Sequence, residues 1–271
     1  MLSIAVEIIR IAGTSCSVGT NIIVTLRRKI YAESRYDCST LNRIGVDTLK
    51  FHAGGKANPL SPTVKRRKSI ECNGMTRKTS IQDSLIEYCK KLGVSDVRII
   101  PSSKISVEEQ FAEICKNDRC PGYGSAPSCP PFVMSSNKFK DILSTYHSAL
   151  IFKFEIPTSV LFGNERNEVL SLLHETASAM KYFAINNGYI GSMAIAAGSC
   201  KQIFCEKHNA CPVITNSGKC RYPKKACPSM SGLGVNFNKL SELLGWNKNT
   251  IKENEEPTSN MAGIVLLKHD P

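Results

Sequence analysis

The chain of 271 residues is long enough for one substantial domain, or for one domain with an appendage. Its 42% hydrophobic and 21% charged residues are typical of a globular protein, and no run of about 20 apolar residues exists to cross a membrane. The formal charge of +12 suggests an anionic partner, but residues 1–74, with 12 Lys/Arg and 5 Asp/Glu, carry +7 of it. The charge therefore does not indicate a nucleic-acid-binding domain in the longer remainder.

The first 74 residues show little regular pattern. We predict that residues 1–74 form a poorly structured extension, which need not be native, and that the domain spans residues 75–271. The basic run Lys65–Lys68 is expected to be solvated charge near the boundary. Met75 opens a more regular segment, so a native start at Met75 is one hypothesis. The apolar opening stretch is interrupted by charged residues and no basic region precedes it, so the cytoplasm is the predicted compartment.

From residue 79 onward, helical and extended patterns alternate along the chain. The first half predicts a helix capped by Thr79 and Gln82 and ended by Gly93, a strand Asp96–Ile100, a helix capped by Ser106 and Glu109 and ending at Cys115, and a loop Lys116–Pro131. The second half predicts a helix through Phe139 and Tyr146, a strand Ala149–Ile156, a helix Val169–Ala184 closed by Gly188, a strand Tyr189–Ala197, a loop Cys200–Pro228, a helix through Leu240 and Leu244, and a strand Gly263–Leu267.

This alternation indicates the fold class. It contains one clear strand–helix–strand unit, over residues 149–197, and otherwise follows a loose order. We predict an α/β or α+β fold in which helices pack on a small mixed sheet of about four strands. Two cysteine-rich loops interrupt the regular elements.

The cysteines are the strongest chemical signal. The chain holds 12, and eight of them lie in the two loops. The first loop reads Cys115-x4-Cys120-x8-Cys129, and the second reads Cys200-x4-Cys205-x5-Cys211-x8-Cys220-x6-Cys227. In a reducing compartment, clustered cysteines indicate metal or redox chemistry more than a disulfide framework.

Thiolates suit zinc, copper(I) and iron–sulfur clusters. The C-x4-C pairs are at the wide limit for zinc sites and do not match the bacterial ferredoxin run, although four of the cysteines precede proline, as the last ferredoxin ligand does. We predict an iron–sulfur cluster, of the 4Fe–4S type, with zinc as the alternative metal. The competing interpretation is that the thiols are unliganded.

Other candidates receive weaker interpretations. His208, inside the second loop, is the best non-cysteine ligand candidate, but a solvated loop residue is the simpler interpretation. His174 and Cys89 lie on or beside apolar helical stripes, so His174 is predicted to be structural or solvent-facing and Cys89 to be a buried hydrophobe. Gly122 and Gly124 predict a tight turn before Cys129 and not a nucleotide fingerprint.

Three segments, CPGYGSAPSCPP, AGSCKQIFC and GKCRYPKKACPSMSGLGVN, resemble an uncharacterised prokaryotic family of predicted metal-binding proteins. The resemblance covers roughly residue 75 to the C-terminus. It implies a metal site formed by the matching cysteines, which are Cys115, Cys120, Cys129, Cys200, Cys205, Cys211 and Cys220. The family usually has arginine where this chain has Cys227, which puts Cys227 in doubt as a ligand.

Three functions follow as hypotheses. The preferred one is an iron–sulfur protein that transfers electrons or supports a redox system, with a redox protein as its partner. The alternative is a structural zinc-binding interaction module. An enzyme that uses a cluster or a reactive thiol stays open, because Cys120 follows Arg119, which would lower a thiol pKa. Neither a membrane nor nucleic acid is expected as a partner.

Overall fold

A computed structural model describes residues 80–117, 120–246 and 256–269. The predicted extension and the hypothetical start at Met75 lie outside these ranges, so the division of the chain at residue 74 stays a prediction. In chain order the described elements are α1 (Ile81–Lys91), β1 (Asp96–Pro101), a 3₁₀ turn (Ser102–Lys104), α2 (Glu109–Asn117), α3 (Ser136–Leu143), β2 (Ser148–Pro157), α4 (Thr158–Phe162), α5 (Arg166–Asn186), β3 (Met193–Ile195), α6 (Cys200–Phe204), α7 (Phe237–Leu243) and β4 (Thr258–Leu267).

The start of α1 differs from its prediction by one residue. Ser80 is the N-cap: its hydroxyl accepts the Asp83 N–H at 3.1 Å, and the Asp83 carboxylate accepts the Ser80 N–H at 3.2 Å. This reciprocal pair satisfies two free N–H groups of the first turn and places an acid at the positive end of the helix. Gly93, at φ +86°, ends the helix as predicted.

The predicted cap of α2 is wrong. Ser106 does not cap the helix, since its hydroxyl donates to the Glu108 carboxylate at 2.9 Å. The segment before α2 is extended instead, because Val107 forms an antiparallel bridge with Val235 and the Glu108 N–H donates to the Gly234 carbonyl at 2.7 Å. Pairing with a distant segment therefore overrides the local capping signal, and α2 begins at Glu109.

The sheet has four strands in the order β1-β2-β4-β3, and each neighbouring pair is antiparallel. Because β2 and β3 both run opposite to β4, they point the same way with β4 inserted between them. The predicted strand–helix–strand unit is thus present but split by the last strand of the domain. Helices on a four-stranded sheet are confirmed, in the α+β form, and the ladders are antiparallel instead of mixed.

The core occupies both faces of the sheet. On one face, α1 and α5 cover Leu150, Phe152 and Val265, and on the other face, α3 and α7 cover Ile151 and Ile264. Successive residues of β2 point to opposite faces, and both faces are buried, so the strand is apolar almost continuously. Among the described helices, none combines the length and the apolar character that crossing a membrane requires.

Candidate metal centre

Both cysteine loops are attached at the end of β3. The Ala196 N–H donates to the Pro228 carbonyl at 3.1 Å, and the Met230 N–H donates to the Ala196 carbonyl at 2.9 Å, so the second loop leaves and returns at one point. The Ser229 N–H then donates to the Ser128 carbonyl at 2.8 Å, which ties the first loop to the same place. Backbone pairing between segments distant in sequence therefore brings the two loops together.

The second loop lines most of a partly open cavity of about 230 Å³. Ser128 of the first loop contributes to its wall, as do five cysteines, which are Cys200, Cys205, Cys211, Cys220 and Cys227. Four of these are predicted ligands. Cys200 and Cys205 are buried at the ends of α6, whereas Cys211 and Cys220 are partly exposed. The fold thus gathers all the predicted ligands of this loop around one space.

The three predicted ligands of the first loop form a separate thiol group. Cys115 is delivered by α2, and its carbonyl accepts the Cys120 N–H at 3.3 Å. Burial raises the pKa of Cys115 and of Cys129; a hydrogen bond with Ser231 opposes this shift at Cys115, and the neighbouring Cys120 thiol adds to it at both. The Cys115 Sγ lies 3.7 Å from the Ser231 Oγ. We refer to Cys115, Cys120 and Cys129 as the first thiol group.

The two groups touch through Ser128. Its hydroxyl donates to the Cys200 Sγ at 3.2 Å and lies 3.7 Å from the Cys129 Sγ. Cys129 and Cys200 are buried together against Ala126. Burial raises the pKa of the Cys200 thiol to about 11, and the hydrogen bond from Ser128 acts in the opposite direction. A metal that binds here must displace protons from thiols that burial keeps neutral.

A glycine explains how the first loop fits against the start of the second. A Cβ added to Gly122 would lie 2.9 Å from the Ser199 Cβ and 3.3 Å from the Cys129 Sγ. The backbone therefore passes too close to these side chains for any residue with a Cβ. The predicted tight turn is present, because the Tyr123 N–H donates to the Cys120 carbonyl at 2.9 Å.

Cys227 lines the same cavity but differs chemically from its neighbours. Its thiol donates to the Lys225 carbonyl at 3.5 Å and to the His174 carbonyl at 3.8 Å. Burial raises its pKa to about 12, against the opposing effect of Lys181. A protonated thiol that is engaged as a donor fits the sequence-based doubt that Cys227 is a ligand.

The two histidines have different environments. His174 is fully buried, and burial lowers its pKa to about 4, so the ring is neutral. Its Nδ1 accepts the Cys227 N–H at 3.2 Å, and its Nε2 lies 3.0 Å from the Ala197 carbonyl oxygen. The sequence predicted that His174 is either structural or solvent-facing, and the structural role is confirmed. His208 is exposed and is not part of the cavity wall.

Cys89 also behaves as predicted, since it is fully buried in the core on α1, where burial strongly raises its pKa.

Sequence reasoning missed three serines at the site. Ser128 and Ser231 each contact a thiol of a predicted ligand, and Ser199 also hydrogen-bonds to Cys129. Two of them adjoin cysteines in sequence, in the dipeptides Ser128-Cys129 and Ser199-Cys200. A hydroxyl beside a candidate thiolate ligand was the available signal, because such donors orient ligands and tune metal sites.

The donor set fits a thiophilic metal centre. Seven predicted ligands are thiols, the second loop lines most of a cavity, and hydroxyl donors lie beside the buried sulfurs. Within residues 80–117, 120–246 and 256–269, no three Cys, His, Asp or Glu side chains stand close enough together to hold a single ion. The geometry is thus that of a thiol-lined space rather than of a compact one-ion site.

The surroundings of the cavity are basic. Residues 200–228 contain one acid, Glu206, and six basic residues, which are Lys201, Lys207, Lys219, Arg221, Lys224 and Lys225. Lys201 and Arg221 are part of the cavity wall. Lys225 pairs with Glu175 at 2.7 Å. This charge would stabilise thiolates and offset the net negative charge of a thiolate–metal centre, and it would favour contact with anionic groups.

The fold and the site together define a cysteine-rich α+β protein with two adjoining thiol groups. The chain belongs to the family of predicted metal-binding proteins designated DUF2284, whose model matches residues 98–267, more than half of the chain. The match confirms the resemblance seen in the cysteine motifs and includes both loops. Comparison with curated proteins and with solved structures gave no significant match.

Proposed function

We propose that this protein is an iron–sulfur electron carrier whose principal centre, of the 4Fe–4S type, lies in the second loop. The observation that carries the proposal is the convergence of four predicted ligands, Cys200, Cys205, Cys211 and Cys220, on one cavity. Four thiolates are the ligand set of a fully protein-bound cluster, which suits electron transfer more than substrate binding. The first thiol group remains available for a further role.

The size of the space supports a cluster over a single zinc ion. Zinc needs four sulfurs about 2.3 Å from one point, and the described side chains include no set of three donors packed so closely. The sulfurs that bind a cluster stand farther apart, around a group of several atoms. A cavity of about 230 Å³ between the thiols accommodates such a group.

The basic rim supports an acidic redox protein as the partner. Lys201 and Arg221 lie in the cavity wall itself, and four more basic residues belong to the same loop. Opposite charges on two redox proteins accelerate their encounter and orient them. All nine cysteines in the described ranges are free thiols, which is consistent with a reducing compartment such as the cytoplasm.

The test is metal analysis of the full chain purified without oxygen. Iron and acid-labile sulfide in equal amounts, at about four per cluster, with a visible spectrum that bleaches on one-electron reduction, are the expected result. Cys211→Ala should lose the second-loop centre. Cys89→Ala is the matched control, because Cys89 is a buried core thiol that does not line the cavity. A colourless protein with one or two zinc ions would overturn the proposal.

The partner surface has its own test. The rate of electron exchange with an acidic one-electron carrier should fall as salt is added, and Lys219→Glu with Lys224→Glu should slow it further. The matched control reverses the charge of two lysines outside the second loop, Lys90→Glu with Lys91→Glu at the end of α1. A rate that does not depend on salt would exclude an electrostatic partner.

A further inference from the structure

Ser128 stands between the two thiol groups. It is buried, and its hydroxyl lies 3.2 Å from the Cys200 Sγ and 3.7 Å from the Cys129 Sγ. The two sulfurs are therefore no farther apart than the sum of those distances. The contact is fixed from both sides, because the Ser128 carbonyl accepts the Ser229 N–H at 2.8 Å and its hydroxyl accepts the Cys200 N–H at 3.4 Å.

The first thiol group has features of a site in its own right. Cys115 and Cys129 are buried, and the Cys120 N–H donates to the Cys115 carbonyl at 3.3 Å, so the chain holds these three cysteines in one short loop. A serine hydroxyl lies beside each buried thiol: the Ser231 Oγ is 3.7 Å from the Cys115 Sγ, and the Ser128 Oγ is 3.7 Å from the Cys129 Sγ. These cysteines are not part of the cavity in the second loop. A single centre in that cavity would leave these three thiols without a metal.

We propose that the first thiol group holds a second iron–sulfur centre, and that Ser128 links the two centres and sets the reduction potential of the one in the second loop. This inference rests on the proposed function. Ser128 donates a hydrogen bond to a ligand sulfur, and such bonds favour the reduced, more negative state of a cluster. The contact Cys129–Ser128–Cys200 is then a direct connection between a ligand of each centre.

The redox step is a one-electron transfer. With both centres bound, an external low-potential protein donor would supply one electron, and an external one-electron acceptor would remove it. Between these steps one centre would be oxidised as the other is reduced across the Cys129–Ser128–Cys200 contact, with no covalent bond to the protein formed or broken. Ser128 keeps its proton throughout: its O–H donates to the Cys200 Sγ while its oxygen accepts the Cys200 N–H.

The experiment uses the full chain, purified and reconstituted with iron and sulfide without oxygen. Wild type should hold about eight iron and eight sulfide ions, and Cys120→Ala and Cys211→Ala should each hold about four. Both cysteines are partly exposed, so these variants disturb the core little. The fully reduced wild type should give an electron paramagnetic resonance spectrum split by two interacting centres, and Cys120→Ala should give that of one.

The role of Ser128 is tested by Ser128→Ala, which should keep its iron but shift the midpoint potential of the second-loop centre downward. Ser128→Thr retains a hydroxyl and should restore the potential. Ser136→Ala is the matched control, because its hydroxyl is also buried but has no hydrogen-bond partner among the described residues. An unchanged midpoint potential in Ser128→Ala would overturn the role of Ser128.

The metal counts distinguish a failure of the second centre from a failure of the proposed function. About four iron per chain in wild type, unchanged by Cys120→Ala, would leave one electron-carrying centre and overturn the second one. Zinc without iron would overturn the proposed function itself. About eight iron without magnetic interaction would overturn the contact between the centres.

Discussion

The Nδ1 of His174 accepts the backbone N–H of Cys227 at 3.2 Å, so a helix of the core is joined directly to the end of the second cysteine loop. The other ring nitrogen, Nε2, lies 3.0 Å from the carbonyl oxygen of Ala197, just before that loop begins. One neutral imidazole thus fixes the entry and the exit of the loop. This arrangement requires that Nε2 carries the proton and Nδ1 does not.

Acid should weaken the fold through His174. Its pKa falls to about 4 in the folded protein, against about 6.5 in an unfolded chain. The contribution is therefore fully present above pH 6.5 and is lost as the pH falls toward 4, by roughly 3 kcal/mol in all. Urea unfolding of wild type and His174→Gln between pH 7 and 4 measures it, and the difference between the two proteins should shrink as the pH falls.

His208→Gln is the control, because that histidine is exposed. Its unfolding free energy should follow that of wild type across the same range. Metal content is measured for all three proteins alongside unfolding, because His174 holds the loop that carries the candidate ligands. Parallel pH curves for wild type and His174→Gln would contradict the assignment of a neutral, buried ring.

Cys220 and Cys227 should differ as ligands although both line the cavity. We expect Cys220→Ala to lose the metal of the second loop and Cys227→Ala to retain it, because the Cys227 thiol is held protonated as a donor to backbone carbonyls. Metal per chain and the visible spectrum of each variant measure this difference. Equal loss of metal in both variants would make Cys227 a ligand.

Gly122 should be essential to the first thiol group. In Gly122→Ala the new methyl would meet the Ser199 Cβ at 2.9 Å and crowd the Cys129 Sγ. The loop must then shift, and we expect metal bound by the first loop to fall by half or more, with a loss of about 1–3 kcal/mol in stability. Metal analysis and urea unfolding test this together.

Gly218→Ala provides the comparison for that prediction. Its Cβ would meet only the Pro212 Cβ, at an ordinary 3.6 Å. Metal content and stability should stay close to wild type. If Gly122→Ala were equally harmless, the close packing of the two loops would not matter for binding.

Gly263 on β4 is covered by the ring of Phe152 on the neighbouring strand. The two residues are direct partners in the antiparallel register, and a Cβ on Gly263 would overlap the Phe152 ring at Cζ. Gly263→Ala should therefore destabilise the protein by about 1–3 kcal/mol, as overpacking does. Thermal unfolding of Gly263→Ala and of the double variant with Phe152→Leu tests this, since the smaller side chain should recover part of the loss.

Local sequence patterns predicted the regular elements and their chemistry. The helix around Leu172 and the strand around Ile151 follow from apolar periodicity, and Gly93 and Gly188 mark helix ends because they adopt positive φ. Cysteine type and density alone predicted a thiol-based metal site. These signals depend on neighbours in the chain, so the sequence by itself determines them.

Tertiary structure decided what depends on distant segments. Three features pair segments that are far apart in the sequence. They are the insertion of β4 between β2 and β3, the pairing that displaces the cap of α2, and the attachment of both loops at Ala196. No local pattern encodes such pairing, because closing a long loop is favourable only through the contacts it makes. The partition of the thiols into two groups, with Ser128 between them, exists only once the chain has folded.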